Sequence, residues 1–263
     1  MRFPPRLTLD LAKVLIAQKL LGPARYPLAL RLNLAELPAQ SEFHPDSSAN
    51  SSLSSSRDLQ TLALVRGSAA PLVWIGGHTP LRHPRIAQIT RDLVNRGRTV
   101  FVEMDGTLLR QRIFEFRPVS RLYLVLALHG LETAHDLRAG RTGNFRATVE
   151  SIRAAKLSGF HVCVETMIFA ETELHELRGL VAFTSKLDVD GWIQSRPIGA
   201  AEAQVADEEI EAARDLIPSR PWRTFSELLD LTRATETSRF GEEKAVKRVD
   251  EEVHGREEGL RAL

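Results

Sequence analysis

Thiols are almost absent from this sequence: Cys163 is the one cysteine in 263 residues. An intrachain disulfide, a zinc site made of cysteines alone, and an iron–sulfur cluster held by three thiolates of one chain are therefore excluded. Apolar runs long enough to span a bilayer are missing, and no basic stretch with a short apolar core opens the chain at Met1. Export and membrane spanning are thus not indicated, and a cytoplasmic location is the expectation. An excess of either charge is lacking too. Lys and Arg number 35 against 34 for Asp and Glu, a formal net charge of +1, which removes the overall electrostatic case for nucleic-acid binding. No Walker-type phosphate loop, HExxH or GxSxG occurs.

What is there is a globular composition, 43% hydrophobic and 26% charged, in a chain long enough to bury a large core. Pro71 to Pro84 (PLVWIGGHTPLRHP) organises it. Leu72 to Ile75 suit a buried strand, Gly76-Gly77 end it, and Arg85 to Arg96 follow with helical periodicity. Two adjacent glycines at a strand exit leave main-chain groups open to a polar ligand.

Before this corner, Leu7 to Leu21 predicts an amphipathic helix ended by Gly22-Pro23, and Pro27 to Asn33 a first strand. The helix reads as one packed on the barrel; the same pattern permits an interfacial helix on a membrane surface. Residues 38–56 turn to Ser, Asn, Asp and Pro, and a long mobile loop is expected there. Asp58 to Val65 predicts a short helix. After the corner come strands at Thr99 to Glu103, Arg121 to Leu128, Phe160 to Ile168 and Val189 to Ser195, with helices at Asn144 to Leu157 and Glu171 to Ser185. Six strands separated by helical stretches predict right-handed βαβ units and an α/β fold, a partial (β/α)6 TIM-like barrel over residues 1–199. Residues 200–263 are helix-patterned and highly charged, and read as a helical C-terminal extension. Glu242 to Arg261 suit a solvated helix, a frayed tail or a partner-binding arm.

The ordered motifs resemble the radical S-adenosylmethionine superfamily, and within it the branch of adenosylhopane-forming enzymes of hopanoid synthesis. The resemblance rests on ARYPL at 24–28, GGHTPLRHP at 76–84, GTLL at 106–109, HGLETAHDLRAGRTGNF at 129–145 and VDGWIQSRP at 189–197. It implies a loop after the first strand carrying C-x3-C-x2-C, whose thiolates hold a 4Fe–4S cluster that cleaves S-adenosylmethionine. Carried forward from Tyr26-Pro27-Leu28, those positions fall on Pro38, Glu42 and Pro45, and no cysteine lies in the first 162 residues. The family's defining chemistry is missing, so no cluster is expected and S-adenosylmethionine binding is left open. Other positions are rewritten: His129 replaces the acid of the family's "DG", Asp105 stands for the usual asparagine, and His78 follows the glycine pair in place of an acid.

The resemblance implies a vestigial S-adenosylmethionine site at Gly76, Gly77 and His78; the plain alternatives are a tight rim turn and a solvated histidine. Glu103, Asp105, His129, Glu165 and Thr166 fall at strand C-terminal ends, the active face of a parallel barrel, where carboxylates and imidazoles suit acid–base work or a divalent cation. Strand parity leaves their direction open, and they equally suit polar filling of a vacated mouth. His135, Asp136 and Arg138 form an HDxxRG-like turn expected to be structural, and Cys163 is expected to be a small buried apolar side chain. The leading expectation is a cluster-less, catalytically inactive binding or accessory subunit working beside another protein, an active enzyme or a larger complex. The alternatives are an enzyme rebuilt around Glu103, Asp105, His129 and Glu165, and a membrane-surface accessory in lipid synthesis contacting the bilayer through residues 7–21.

Overall fold

The computed structural model describes residues 3–21, 28–33, 70–77, 80–196 and 206–230. Pro38, Glu42, Pro45, His78, the 38–56 loop, the expected Asp58 to Val65 helix and residues 242–261 lie outside the described residues. Six strands form one parallel sheet in sequence order: β1 (Ala29–Asn33), β2 (Leu72–Gly76), β3 (Thr99–Met104), β4 (Leu122–Ala127), β5 (His161–Met167) and β6 (Gly191–Ser195). Parallel neighbours in unbroken sequence order, curled by strand twist, make the expected half-barrel. The helices are α1 (Pro5–Leu21), α2 (Ile86–Asn95), α3 (Gly106–Arg112), α4 (Glu132–Ala139), α5 (Asn144–Leu157), α6 (Leu174–Ser185), α7 (Asp207–Arg214) and α8 (220–230).

Both sheet faces are buried, which is why the strands are near-continuous apolar runs. Val100, Val102, Leu122, Leu124, Leu126, Val162 and Val164 point outward and pack with Ile89 and Leu93 of α2 and Val149 and Ile152 of α5. The alternate residues point to the concave side. There Trp74, Phe101, Tyr123, Cys163 and Ile193 pack with Leu7, Leu11 and Val14 of α1 and with Ile217, Trp222, Phe225 and Leu229. The helical extension is therefore not wholly charged surface: its α8 side chains complete the core inside the half-barrel.

One register row crosses five strands as Arg31, Trp74, Phe101, Tyr123 and His161. Its rings stack face to face with centroids 5.5, 4.7 and 5.1 Å apart, and the Arg31 guanidinium lies 5.1 Å from the Trp74 ring. Offset-stacked aromatics add about 0.5–1.5 kcal/mol per pair beyond their burial, so this row makes a rigid floor beneath the mouth. Along β6 the edge is closed by helices. The Gln194 N–H donates to Ser226 Oγ at 3.2 Å, its side-chain amide donates to the Ala213 carbonyl at 2.7 Å, and Arg214 ties α7 to Asp230 of α8. These contacts hold α7 and α8 against the outer edge of β6.

Candidate functional site

Glu103 and Glu165 both point to the concave side, as their parity with Phe101 and Cys163 requires. Glu103 lies over the glycine corner. The Trp74 Nε1–H donates to its Oε1 at 2.5 Å and the Gly77 N–H donates to its Oε2 at 3.2 Å. A Cβ built on Gly76 would meet the Glu103 carboxylate at 2.6 Å, so the carboxylate rests where any side chain at residue 76 would be. Gly77 has φ 112°, a conformation that glycine adopts without strain. The turn thus favours glycine at residue 77, and a side chain at residue 76 would displace the Glu103 carboxylate.

The second group is centred on His129, just past β4. Its Nδ1 accepts the Met167 N–H at 3.3 Å, so the neutral ring carries its proton on Nε2. Burial lowers the His129 pKa; the charge of Glu165 opposes that shift and the Arg138 guanidinium adds to it. Glu165 itself is 3% exposed. A deeply buried carboxyl group beside a neutral imidazole makes this part of the mouth polar and unsuited to an anion.

His135 accepts the His129 N–H on Nδ1 at 3.2 Å, and its Nε2 meets the Asn144 amide at 3.0 Å. Burial, followed by the neighbouring His129, lowers its pKa to about 4. Asp136 caps the start of α5: it accepts the Gly143 N–H at 2.6 Å and the Phe145 N–H at 2.7 Å. The Phe145 bond above all, helped by those of Gly143 and Asn144, outweighs burial and lowers the Asp136 pKa. Arg138 donates to the His129 carbonyl and, at 3.3 Å, to Thr172 Oγ1, with its guanidinium 5.4 Å from the Phe169 ring. These three residues brace the loops after β4 and β5, the structural role their motif suggested. They do so from the helix α4, where the motif predicts a turn.

Two members of the predicted set stand apart. Asp105 is the N-cap of α3, its Oδ1 accepting the N–H groups of Thr107 at 2.6 Å and Leu108 at 3.2 Å. Thr166 faces the outer layer, where its hydroxyl donates to the Leu128 carbonyl at 2.7 Å and accepts the Trp192 Nε1–H at 3.0 Å. The four candidates therefore divide into Glu103 at the β2–β3 corner, His129 with Glu165 at β4–β5, and Asp105 within a helix cap. Among the described residues no three His, Cys, Asp or Glu side chains group as cation ligands. Ser195 was not singled out from sequence. It shares the concave face with Ile193, is 2% exposed, and its Oγ has no hydrogen-bond partner among the described residues; parity with Ile193 was the signal that could have found it.

The donor set bears directly on a thiolate-held cluster. Cys163, the chain's one thiol, is fully buried in β5 among the concave apolar side chains, and burial raises its pKa well above the ordinary value. A group needing three thiolates of this chain does not fit these residues. At the corner, the Gly77 N–H and the space over Gly76 are taken by Glu103.

Residues 57–184, just under half of the chain, match the profile of the Radical SAM superfamily. No curated protein matches the sequence. Among solved structures, SuiB of Streptococcus suis bound to S-adenosylmethionine is similar at 14% identity, covering 82% of this chain and 49% of that one with a TM-score of 0.55. SuiB bound to the precursor peptide SuiA is similar at 14% identity, covering 74% and 45% with a TM-score of 0.51. The chain spans about half the length of these structures. Residues 57–184 thus match the Radical SAM superfamily, and the partial barrel that carries them is the fold shared with the SuiB structures.

Proposed function

We propose that this chain is a cluster-less radical SAM-fold protein that binds a ligand or protein partner as an accessory subunit and performs no radical chemistry. One observation carries the reading: its only thiol, Cys163, lies closed in the core of β5. The motifs at 76–84 and 129–145 favour the hopanoid branch as the source of the frame, and hence a partner enzyme in lipid synthesis. Support for lost cofactor binding comes from the corner, where Glu103 consumes the Gly77 N–H and the open volume over Gly76.

The test is anaerobic reconstitution of the full chain with iron and sulfide. The expected outcome is no thiolate-to-iron absorption and no retained iron after desalting. A stoichiometric cluster would overturn the proposal. Calorimetric titration with S-adenosylmethionine is expected to give no heat of binding. A second reading is favoured by the buried Glu165 beside His129: a rebuilt polar pocket for a neutral or cationic small molecule. Co-purification of such a molecule with wild-type chain, and its loss in Glu165→Gln, would select that reading.

A further inference from the structure

We propose that the outward face of α1 docks this chain on an anionic lipid bilayer, independently of whatever the barrel mouth binds. The helix is apolar on two opposite faces. Leu7, Leu11 and Val14 are 1%, 8% and 4% exposed and fill the concave core, whereas Leu9, Ile16 and Leu20 are 61%, 61% and 76% exposed. Spacings of seven and four residues put these three on one stripe, opposite the buried face of Leu7, Leu11 and Val14. Four of the ten exposed large apolar side chains among the described residues lie on this one helix; the rest are scattered over other elements, the ordinary condition of a protein surface.

Charge selects the occupant. Lys13 and Lys19 are exposed on α1, whereas the Arg6 guanidinium donates to Ser120 Oγ at 3.2 Å. The helix's one acid, Asp10, is turned toward the protein, with its carboxylate 3.5 Å from both the Arg121 guanidinium and Thr99 Oγ1. The outward face thus combines leucine-class side chains with basic residues and no carboxylate. Two copies of that face pressed together would bring like charges together without a counter-charge. An anionic headgroup layer over hydrocarbon matches both features, with basic side chains at the phosphates and apolar ones below them. Each basic residue held near such a surface strengthens binding roughly fivefold. Because α1 packs beside Thr99, Ser120 and Arg121, at the N-terminal ends of β3 and β4, docking would leave the mouth facing away from the membrane.

The experiment is vesicle flotation of the full chain with phosphatidylcholine alone and with phosphatidylcholine mixed with phosphatidylglycerol. Binding is expected only to the anionic vesicles and is expected to fall at high salt. Lys13→Glu with Lys19→Glu should weaken it on the order of 25-fold or more, and Ile16→Asp with Leu20→Asp by at least about tenfold. Leu137→Asp with Leu157→Asp, exposed positions on α4 and α5, should leave binding unchanged. Circular dichroism checks folding; should the apolar double variant not fold, the Lys13 and Lys19 variant decides. Absence of binding, equal binding to neutral vesicles, or insensitivity to the α1 substitutions overturns the proposal. So does a dimer by light scattering that Ile16→Asp with Leu20→Asp dissociates without any vesicle binding, since the face would then belong to a second copy. Cluster reconstitution has no bearing on these readouts, so this proposal and the functional one fail separately.

Discussion

The carboxylate of Glu103 joins two strands and a turn: it accepts the Trp74 Nε1–H and the Gly77 N–H while resting over Gly76. Removing it in Glu103→Ala deprives a buried indole N–H of that acceptor. Such losses cost about 1–3 kcal/mol, to be read by urea unfolding, with Glu103→Gln losing less because one oxygen remains. An unchanged midpoint in Glu103→Ala would mean that the carboxylate is held for a ligand and not for the fold. His135 supports a pH prediction. Its folded-state pKa of about 4 lies below the unfolded histidine value of roughly 6.5. Between these values the unfolded chain takes up a proton that the folded chain refuses, so stability falls as pH drops through that window. From pH 7 to pH 5 the loss from this one residue is about 2 kcal/mol, and it should largely disappear in His135→Gln. Asp190 behaves similarly at lower pH. Burial alone would raise its pKa, but hydrogen bonds from His161, Lys156 and the Val162 N–H hold it at about 2. Its stabilisation, about 1–2 kcal/mol after solvent screening, is present above roughly pH 4 and is lost as the pH falls toward 2.

Between elements, the tightest crossing is that of α3 and α5. Ser151 of α5 donates to the Gly106 carbonyl, and a Cβ at residue 106 would stand 2.3 Å from Thr148 Oγ1 and 2.6 Å from Thr148 Cα. The second distance is to backbone, so Gly106→Ala must push the helices apart. The expected cost is about 1–3 kcal/mol, measured as a lowered urea midpoint, and shortening the neighbour in Thr148→Ser should not recover it. A Gly106→Ala chain of unchanged stability would show that the crossing yields. Existence and order of the strands were legible in the sequence because each is an apolar run between helical stretches. Asn144–Leu157 was legible to the residue, since Gly143 and Gly159 bound an amphipathic pattern. By contrast α3 and α4 were missed: they are 7 and 8 residues long, too short to display a period.

Across the molecule, the half-barrel is completed by helices that precede and follow the sheet in the chain. Trp222 is wholly buried, and its indole lies so close to β6 that a methyl on Gly191 would come within 2.3 Å of it. With Phe225, Ile217 and Leu229 it joins α1 in covering the aromatic floor of Trp74, Phe101 and Tyr123. Trp222→Ala should therefore cost about 3–5 kcal/mol, as a large cavity in a packed core does. It should also expose the sheet's concave side, detectable as binding of a hydrophobic dye below the unfolding transition. A loss under about 1 kcal/mol would mean that α8 is an appendage and not part of the core.

The amino-acid sequence alone determined the element order, the strand–glycine–helix corner and the scarcity of thiols, because periodicity, glycine placement and composition are local properties. It also identified Glu103, His129 and Glu165 as residues at strand ends. Which way they point, and that Asp105 is spent on a helix cap, only the tertiary structure decided, since side-chain direction depends on which sheet face is concave and on what packs there. The same holds for α8. Its charged flanks suggested surface, yet Trp222 and Phe225 are core, because the open side of a half-barrel must be filled by whatever part of the chain returns to it.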